Sequence, residues 1–226
     1  MTDITPIKDL DLPELYADDA DVKAVISHLQ HAALPLLITG EAGTGKSTLI
    51  RYIRSCGAFP NTAVLAPTGI AAINISGQTL HSFFRLPPRI IDENALVGQR
   101  ANSLWKKVDI IIIDEVSMVR PDILDGMDLI LRKARRSQKP FGGARLVFVG
   151  DFYQLPPVVG RQEGEILYNM GYDTPFAYSA KVFKRYPPRR IQLSKVHRQK
   201  DEGFRKLLSR LRDGRDIPHV VDALNA

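Results

Sequence analysis

Short runs of aliphatic, mostly β-branched residues alternate along the chain with longer stretches in which apolar residues recur at helical spacing. Five runs predict buried strands, at residues 36–39, 63–66, 108–113, 145–149 and 191–193. The third of them is β-branched almost throughout, which is typical of a parallel strand covered on both faces. The alternation predicts an α/β protein with a mostly parallel sheet and helices on both faces.

Apolar residues at helical spacing predict the helices between these strands. One helix is expected over residues 46–55, and another begins at Pro121 and ends in the basic run of residues 132–136. Cations at the end of a helix interact favourably with its dipole, so we favour a structural role for this run over DNA binding. Residues 86–102 and 158–175 lack a clear period, which predicts small insertions at the rim of the sheet. A last helix, capped by Asp201, is predicted from Phe204, Leu207, Leu208 and Leu211.

The composition of the 226 residues is that of a globular chain, with 44% hydrophobic and 25% charged residues. It excludes a disordered or fibrous protein. No apolar run approaches the roughly 18 residues that a membrane span needs, and the first residues do not form a signal peptide. We therefore expect an intracellular protein, cytoplasmic or nucleoid-associated in a bacterium and nuclear or mitochondrial in a eukaryote. The single cysteine, Cys56, excludes an internal disulfide and a cysteine-rich zinc site.

Charge is distributed unevenly around a net value of 31 − 25 = +6. Residues 1–21 hold seven acidic residues and one lysine, or −6, whereas the remaining residues hold 30 basic and 18 acidic ones, or +12. Residues 181–226 alone carry 13 basic and 5 acidic residues. Such an excess permits a polyanionic partner but is more often a solvated face, so charge alone leaves both interpretations open.

The segment Gly-Glu-Ala-Gly-Thr-Gly-Lys-Ser, residues 40–47, lies between a predicted strand and a predicted helix. It matches the phosphate-binding pattern G-x-x-x-x-G-K-[ST] in the context that the pattern requires. The glycines let N–H groups surround an anion at a helix N-terminus, the lysine reaches the β- and γ-phosphates, and the serine hydroxyl binds magnesium. We therefore predict a nucleotide-binding loop made of Gly40, Gly43, Thr44, Gly45, Lys46, Ser47 and Thr48.

Two adjacent carboxylates, Asp114 and Glu115, follow the most apolar predicted strand. Open α/β sheets hold their ligands at the carboxyl ends of strands, which brings this pair to the phosphate loop. Asp114 is expected to bind magnesium, directly or through water, and Glu115 to orient and deprotonate the attacking water. Such an acid favours hydrolysis of the nucleotide over transfer of its phosphate to another metabolite.

Two further polar residues are candidates whose chemistry alone leaves alternatives open. Gln154 follows the fourth strand, where it either senses the γ-phosphate or its water or lies as an exposed amide in a proline-rich loop. Arg198 is either a cation for the transition-state charge or one of many solvated arginines.

Six blocks in order closely resemble the Pif-type DNA helicases, relatives of the RecD helicases in superfamily one. They are residues 40–47, 66–72 (APTGIAA), 77–84 (GQTLHSFF), 112–118 (IIDEVSM), 139–158 (KPFGGARLVFVGDFYQLPPV) and 193–204 (LSKVHRQKDEGF). Their order and spacing match from about Leu34 to Gly214.

The resemblance implies a RecA-like motor domain that uses ATP and Mg²⁺ to translocate 5′ to 3′ along single-stranded DNA and at forks. The phosphate-loop residues and the two carboxylates keep the roles derived above. Gln154 is implied to couple the nucleotide state to the grip on DNA, and Arg198 to be an arginine finger. The family's work in DNA replication, repair, recombination and telomere maintenance is implied as well.

The same resemblance assigns a set of small, hydroxyl and aromatic residues to the path of the single strand: Pro67, Thr68, Gly69, Thr79, His81, Ser82 and Phe83. Backbone amides and hydroxyls hold phosphates, while His or Phe stacks on a base without sequence preference. Of Phe83 and its neighbour Phe84, one is expected to fill the core. His81 is not expected to bind a metal, because no second His or Cys lies at ligand spacing.

Two departures from the family pattern limit which properties of the family can be assigned to this chain. Family members have a Gln before the first strand that reads the adenine, and residues 15–21 contain none, although Gln30 is not far along the chain. The second RecA-like domain and its late motifs are missing after Gly214, and one such domain cannot step along DNA.

The expected organisation is therefore an acidic lead-in with a helix over residues 1–33, a motor domain over 34–214, and a tail over 215–226 toward the second domain. We expect a fragment that binds Mg-ATP and single-stranded DNA but does not unwind duplexes. There are two alternatives. One is a nucleotide-switched DNA-binding or recruitment module that does not translocate, and the other is a RecD-like subunit of a nuclease complex.

Overall fold

Within the residues that the structure describes, six strands form one sheet in which all neighbours run parallel. The computed structural model describes residues 16–195 except 33, 42, 93 and 99–101, and beyond them residues 207, 210, 214 and 216–225. The strands are β1 Leu36–Gly40, β2 Thr62–Ala66, β3 Gln78–Thr79, β4 Ile110–Ile113, β5 Arg145–Val149 and β6 Arg189–Leu193. Their spatial order, β3-β2-β4-β5-β1-β6, confirms the predicted parallel α/β fold.

Helices of very different length connect these strands. They are α1 Ala20–His31, α2 Lys46–Ser55, α3 Gly69–Asn74, α4 Leu80–Phe84, α5 Ser103–Lys107, α6 Pro121–Arg135, α7 Arg161–Asn169, α8 Lys181–Arg185 and α9 Ile217–Asn225. Short 3₁₀ helices add Asn94–Leu96, Val116–Met118, Pro140–Gly143 and Ala177–Ser179. The predicted helix over 46–55 and the one beginning at Pro121 are confirmed, and the described part of the predicted tail contains α9.

Two hydrophobic cores cover the two faces of the sheet, and β4 belongs to both. Ile111 and Ile113 pack with α5 and α6, whereas Ile110 and Ile112 pack with α1 and α2. All four isoleucines are fully buried. Successive side chains of a strand point to opposite faces, so an unbroken β-branched run is what a strand between two cores requires.

The prediction of an irregular insertion over 158–175 is wrong in its middle part, which forms α7. This helix buries only Leu167, while Ile166 and Tyr168 on either side are exposed. It therefore has no apolar period to recognise. Strand β3 was not predicted either, because two residues are too few to show an alternation.

The predicted rim segment, 86–102, packs back onto the core in its described part. Leu86, Ile91 and Leu96 are buried in the core on the α6 side. The carboxylate of Asp122, at the start of α6, accepts a hydrogen bond from the Ile91 N–H at 2.8 Å. The insertion is thus held at a fixed place beside α6.

The first described helix, α1, is an integral part of the second core. Asp19 caps it by accepting hydrogen bonds from the N–H groups of Asp21 and Val22 at 3.0 and 3.1 Å. Val22 and Leu29 pack in the same core as β1 and α2. The boundary expected between residues 33 and 34 therefore falls within one packed unit rather than between two.

The sequence predicted a structural role for the basic end of α6, and two of its arginines have one. The Arg135 side chain donates to the carbonyl groups of Gly142 and Val108 at 2.9 and 2.8 Å. Arg132 Nε lies 3.0 Å from Asp128 Oδ2, close enough for an ion pair although the angle is not that of a hydrogen bond.

Among the described residues no helix is long and apolar enough to cross a membrane.

Candidate nucleotide and nucleic-acid site

The phosphate loop joins β1 to α2 and closes on its own lysine. Gly43 and Gly45 have φ angles of 82° and 85°, which side chains other than glycine rarely adopt. Lys46 begins α2, and its Nζ donates to the carbonyl oxygens of Gly40 at 2.7 Å and Glu41 at 2.9 Å. The loop thus curls around the ammonium group at the N-terminus of a helix, the place where an anion binds favourably.

Two other loop residues are fixed by close packing. Thr44 is buried, and its hydroxyl donates to the Glu41 carbonyl at 2.9 Å. A Cβ on Gly40 would lie 2.7 Å from Thr44 Oγ1 and 2.9 Å from the Leu193 carbonyl oxygen. Only glycine fits at that position, because the end of β1 touches both the loop and the end of β6. Ser47 and Thr48, in the first turn of α2, are exposed and accessible to a ligand.

Tyr16 supports the loop from the N-terminal segment. Its hydroxyl donates to the Gly45 carbonyl at 3.0 Å, its ring is fully buried, and it also hydrogen-bonds Thr48. Burial raises the pKa of this tyrosine above its ordinary value, so it remains a neutral donor. The loop is therefore held from outside the phosphate-binding pattern.

Asp114 and Glu115 stand at the end of β4, between β2 and β5. The Asp114 N–H donates to the Leu65 carbonyl at 2.9 Å, and the Asp114 carboxylate accepts from the Glu115 N–H at 3.0 Å. Glu115 has φ 51° and ψ 45°, the left-handed region that costs a non-glycine residue about 1–3 kcal/mol. Strain of this kind is common where a side chain must be aimed at a ligand.

Burial changes the acidity of both carboxyl groups. It raises the pKa of Asp114, while the Glu115 N–H and the Lys46 charge lower it by less. Burial also raises the pKa of Glu115, with Asp114 and Asp151 adding to the rise and Lys46 opposing it. A carboxylate of raised pKa accepts a proton from water more readily than an ordinary one. Glu115 has the properties of a general base.

The end of β5 presses directly on the turn that carries Glu115. A Cβ on Gly150 would lie 2.9 Å from the Val116 nitrogen, so this position also excludes a side chain. Asp151 is 2% exposed and its carboxylate accepts from the Tyr153 N–H at 3.2 Å, while its carbonyl accepts from the Gln154 N–H at 2.9 Å. The Gln154 side chain donates to Asp151 at 3.5 Å. Gln154 is thus exposed but held next to the charged centre.

The residues assigned to the single-strand path lie at the ends of β2 and β3, which are paired Ala66 to Thr79. Thr68 caps α3 by accepting from the Ala71 N–H, and Thr79 caps α4 by accepting from the Ser82 N–H, both at 3.2 Å. Pro67, Gly69 and Ser82 stand beside them, and none of these residues belongs to the two cores. Neighbouring strand ends therefore bring the two sequence blocks to one edge.

The aromatic residues of this path divide as expected. Phe84 is fully buried and stacks at 6.1 Å on Trp105, whereas Phe83 is half-buried. His81 is half-buried, and burial first and the Arg120 charge second lower its pKa. At neutral pH His81 is a neutral ring, suited to stacking or hydrogen bonding rather than to a salt link with phosphate.

The donor set fits a magnesium ion held mainly by a nucleotide. No group of three or more His, Cys, Asp or Glu in the described part of the chain is arranged to hold a metal. Mg²⁺ usually keeps one or two protein oxygens and takes the rest from phosphates and water. The hydroxyl of Ser47 and the carboxylate of Asp114 supply oxygens of that kind.

A sequence model of PIF1-like helicases matches residues 15–221. The chain belongs to this family. The ATP-dependent DNA helicase PIF1 of Homo sapiens is 35% identical over 98% of this chain and 34% of its own length. The Bacteroides Pif1 helicase in complex with ADP-AlF3 and ssDNA has a TM-score of 0.84 at 38% identity, covering 90% of this chain and 48% of that one. A Pif1 structure at forked dsDNA, with two coordinating helicases, has a TM-score of 0.81 at 40% identity, covering 85% and 47%.

These matches confirm the RecA-like motor fold and the resemblance to Pif-type helicases that the sequence predicted. The PIF1-like chain spans about a third of the length of the curated relative and about half of the solved chains.

Two residues of this PIF1-like site were given no role by the sequence, Tyr16 and Asp151. Tyr16 lies in the stretch 15–21 that was noted only for its missing Gln, and no pattern there signals a contact to the phosphate loop. Asp151 follows a buried strand just as Asp114 does, and that position was a usable signal.

Arg198 lies outside the described residues, as do Asp201 and Phe204. Ser194 is one of the last described residues before Arg198 in the sequence. Its N–H and hydroxyl donate to the Asp21 carboxylate at 2.9 and 2.6 Å. The end of β6 is thereby tied to α1.

Proposed function

We propose that the chain is the N-terminal ATPase domain of a 5′ to 3′ DNA helicase that translocates on single-stranded DNA. The observation that carries this proposal is the meeting of Lys46, Asp114, Glu115 and the Asp151–Gln154 loop at the carboxyl ends of β1, β4 and β5. Adjacent strand ends bring cation, carboxylates and amide to one edge, and Lys46 and Asp151 act electrostatically on Glu115.

The residues divide the work of hydrolysis between binding and proton transfer. The N–H groups of the phosphate loop and Lys46 bind the β- and γ-phosphates, with Gly40, Gly43, Thr44, Gly45 and Thr48 shaping the loop. Ser47 and Asp114 hold Mg²⁺, which neutralises charge on the phosphates when bound. Glu115 orients the attacking water and accepts its proton.

Coupling to nucleic acid is proposed for the neighbouring part of the same edge. Gln154 is proposed to couple the nucleotide state to the grip on DNA, and its exposed amide, which donates to Asp151 beside the charged centre, supports that role. The Bacteroides relative was solved with ssDNA. We infer that Pro67, Thr68, Gly69, Thr79, His81, Ser82 and Phe83 contact the single strand here, through phosphates and one stacked base.

A second RecA-like domain is proposed to complete the motor, since the chain covers about half of the solved helicases. Residues 34–214 carry the motor-domain motifs of this proposal, with α1 of the preceding residues 1–33 packed on the same core and residues 215–226 leading onward. Arg198 is proposed as the arginine finger at the interdomain cleft. Acting on DNA, such a helicase works in the nucleoid or cytoplasm of a bacterium, or in the nucleus or mitochondrion of a eukaryote.

The proposal is tested by measuring Mg-dependent ATP hydrolysis and unwinding with residues 1–226. We expect slow hydrolysis that oligo(dT) stimulates, and no unwinding of a tailed duplex. Because Glu115 must be deprotonated and its pKa is raised, hydrolysis should fall off, as pH is lowered, at a higher pH than an ordinary glutamate would give.

Lys46→Ala should abolish hydrolysis, while Lys23→Ala, an exposed lysine on α1, is the matched control. Hydrolysis unaffected by Lys46→Ala would contradict the assignment of the site. Efficient unwinding by these 226 residues would instead contradict the need for a second domain.

A further inference from the structure

Three chain segments meet at the amino edge of the sheet, the edge where the strands begin. Helix α5 ends just before β4, α6 returns to the same edge, and the 3₁₀ helix Pro140–Gly143 precedes β5. Arg135 joins all three, because it donates to Gly142 on one side and to the carbonyl groups of Lys106 and Val108 on the other, at 3.2 and 2.8 Å. The positively charged guanidinium group of Arg135 is thereby bound by main-chain carbonyl groups at the ends of α5 and of the 3₁₀ helix.

Five other cations surround this junction with their side chains exposed, and we call them the amino-edge basic surface: Lys106, Lys107, Lys133, Arg136 and Lys139. None of the five forms an ion pair with a described carboxylate. The nearby acid Asp109 accepts hydrogen bonds from the side chain and N–H of Asn61 at 3.0 and 3.4 Å. Asp109 also acts electrostatically on Arg135, but the five exposed cations outnumber it, so the surface keeps a net positive charge.

The surface has a shallow, open depression at its centre. Lys106, Arg135 and Arg136, with Ala134 and Gly142 between them, line a depression of about 550 Å³ that opens to solvent. The aromatic side chains nearby, Trp105 and Phe141, are fully buried. The depression thus offers cations and donors but no aromatic ring on which an unpaired base could stack.

We propose that the amino-edge basic surface binds the phosphate backbone of a DNA duplex. Duplex backbones need cations and hydrogen-bond donors only, whereas single-strand sites add exposed aromatic side chains. Exposed aromatic residues of this chain lie away from the basic surface: Tyr153 follows β5, for example, and Tyr178 precedes α8.

The surface is separate from the proposed single-strand path. That path lies at the carboxyl ends of β2 and β3, and the basic surface lies where β4 and β5 begin. Strands of four or five residues set the two edges about 15 Å apart, before side chains and loops are added. The inference goes beyond the proposed function, because it requires neither nucleotide hydrolysis nor contacts at the carboxyl edge.

The test compares binding of a blunt DNA hairpin and of oligo(dT) to residues 1–226 by fluorescence anisotropy over a range of salt. The variant is Lys106→Glu with Arg136→Glu. Its control is Lys23→Glu with Arg161→Glu, which changes the net charge equally at two exposed sites elsewhere.

Each phosphate contact contributes about 0.9 to the slope of log affinity against log salt. We expect the variant to lose about tenfold or more in hairpin affinity at 50 mM salt and about 2 in slope. Affinity for oligo(dT) and the rate of ATP hydrolysis should stay within about twofold, and the control should match the parent chain.

Equal losses in the variant and the control, or parallel losses for hairpin and oligo(dT), would overturn the proposal. If the charge-reversed variant does not fold, Lys106→Gln with Arg136→Gln replaces it, and a hairpin affinity equal to that of the parent then overturns the proposal. A chain that fails to hydrolyse ATP but shows the selective hairpin loss contradicts only the proposed function.

Discussion

The two edges of the sheet carry charge in opposite ways. At the carboxyl edge, Asp114 and Asp151 are buried, and Glu115 is held in a strained backbone conformation opposite a single lysine. At the amino edge, one arginine is bound by carbonyl groups and five cations remain in solvent. The comparison teaches that the charges buried at the carboxyl edge surround the proposed catalytic centre, whereas at the amino edge Arg135 has a structural role and the other cations form an exposed surface.

Changes at the carboxyl edge should therefore act mainly on the rate of hydrolysis, whereas loss of Arg135 at the amino edge should act on stability alone. The largest expected effect is that of Glu115→Gln. Removing a general base lowers catalysis by about 10²–10⁴-fold. Single-turnover ATP hydrolysis measures the loss, and a rate equal to that of the parent chain would favour a nucleotide switch over a motor.

The same variant should melt at a higher temperature near pH 7. The folded-state pKa of Glu115 is raised, so its carboxyl group favours the fold below the unfolded-state pKa and loses that contribution as pH rises through the folded-state pKa. The charge opposes folding at neutral pH, and Gln removes it. Melting curves at pH 7 and pH 4 check the sign, because the gain should shrink at the lower pH.

Next in size is Arg135→Met, on the opposite edge. It removes hydrogen bonds from α6 to carbonyl groups of two other segments and should lower the free energy of unfolding by about 2–3 kcal/mol. Denaturant titration measures the loss, with exposed Lys133→Met as the control. Per folded molecule, ATP hydrolysis should not change; a slower rate would mean that the two edges are not independent.

The smallest effect is expected for Tyr16→Phe, which should change both the stability of the fold and the binding of ATP. It removes the hydroxyl that hydrogen-bonds Gly45 and Thr48, at about 1 kcal/mol for each bond, so both stability and the apparent affinity for ATP should fall modestly. Tyr168→Phe, at an exposed tyrosine on α7, is the matched control. An unchanged KM for ATP would show that Tyr16 supports the fold alone.

The sequence predicted what depends on local pattern. All described strands but β3, and the helix after the phosphate loop, followed from β-branched runs and helical spacing, and Asp114 and Glu115 from their place after the most apolar run. These signals are strong because a buried strand constrains every residue in it.

Other features were invisible to pattern because they depend on contacts between distant segments. Helix α7 buries only Leu167 and so has no apolar period to detect. The Tyr16 contact to Gly45 joins residues 29 positions apart, and no local rule places them together. The requirement for glycine at Gly150 arises only when β5 is laid against Val116.

The N-terminal segment has two anchors five positions apart. Tyr16 holds the phosphate loop, and Asp21 holds Ser194 at the end of β6. The phosphate loop and the end of β6 are therefore linked mechanically through one short segment, residues 16–21, as well as through the sheet. A version of this domain trimmed to begin at β1 would keep every residue of the phosphate-binding pattern and lose that mechanical linkage.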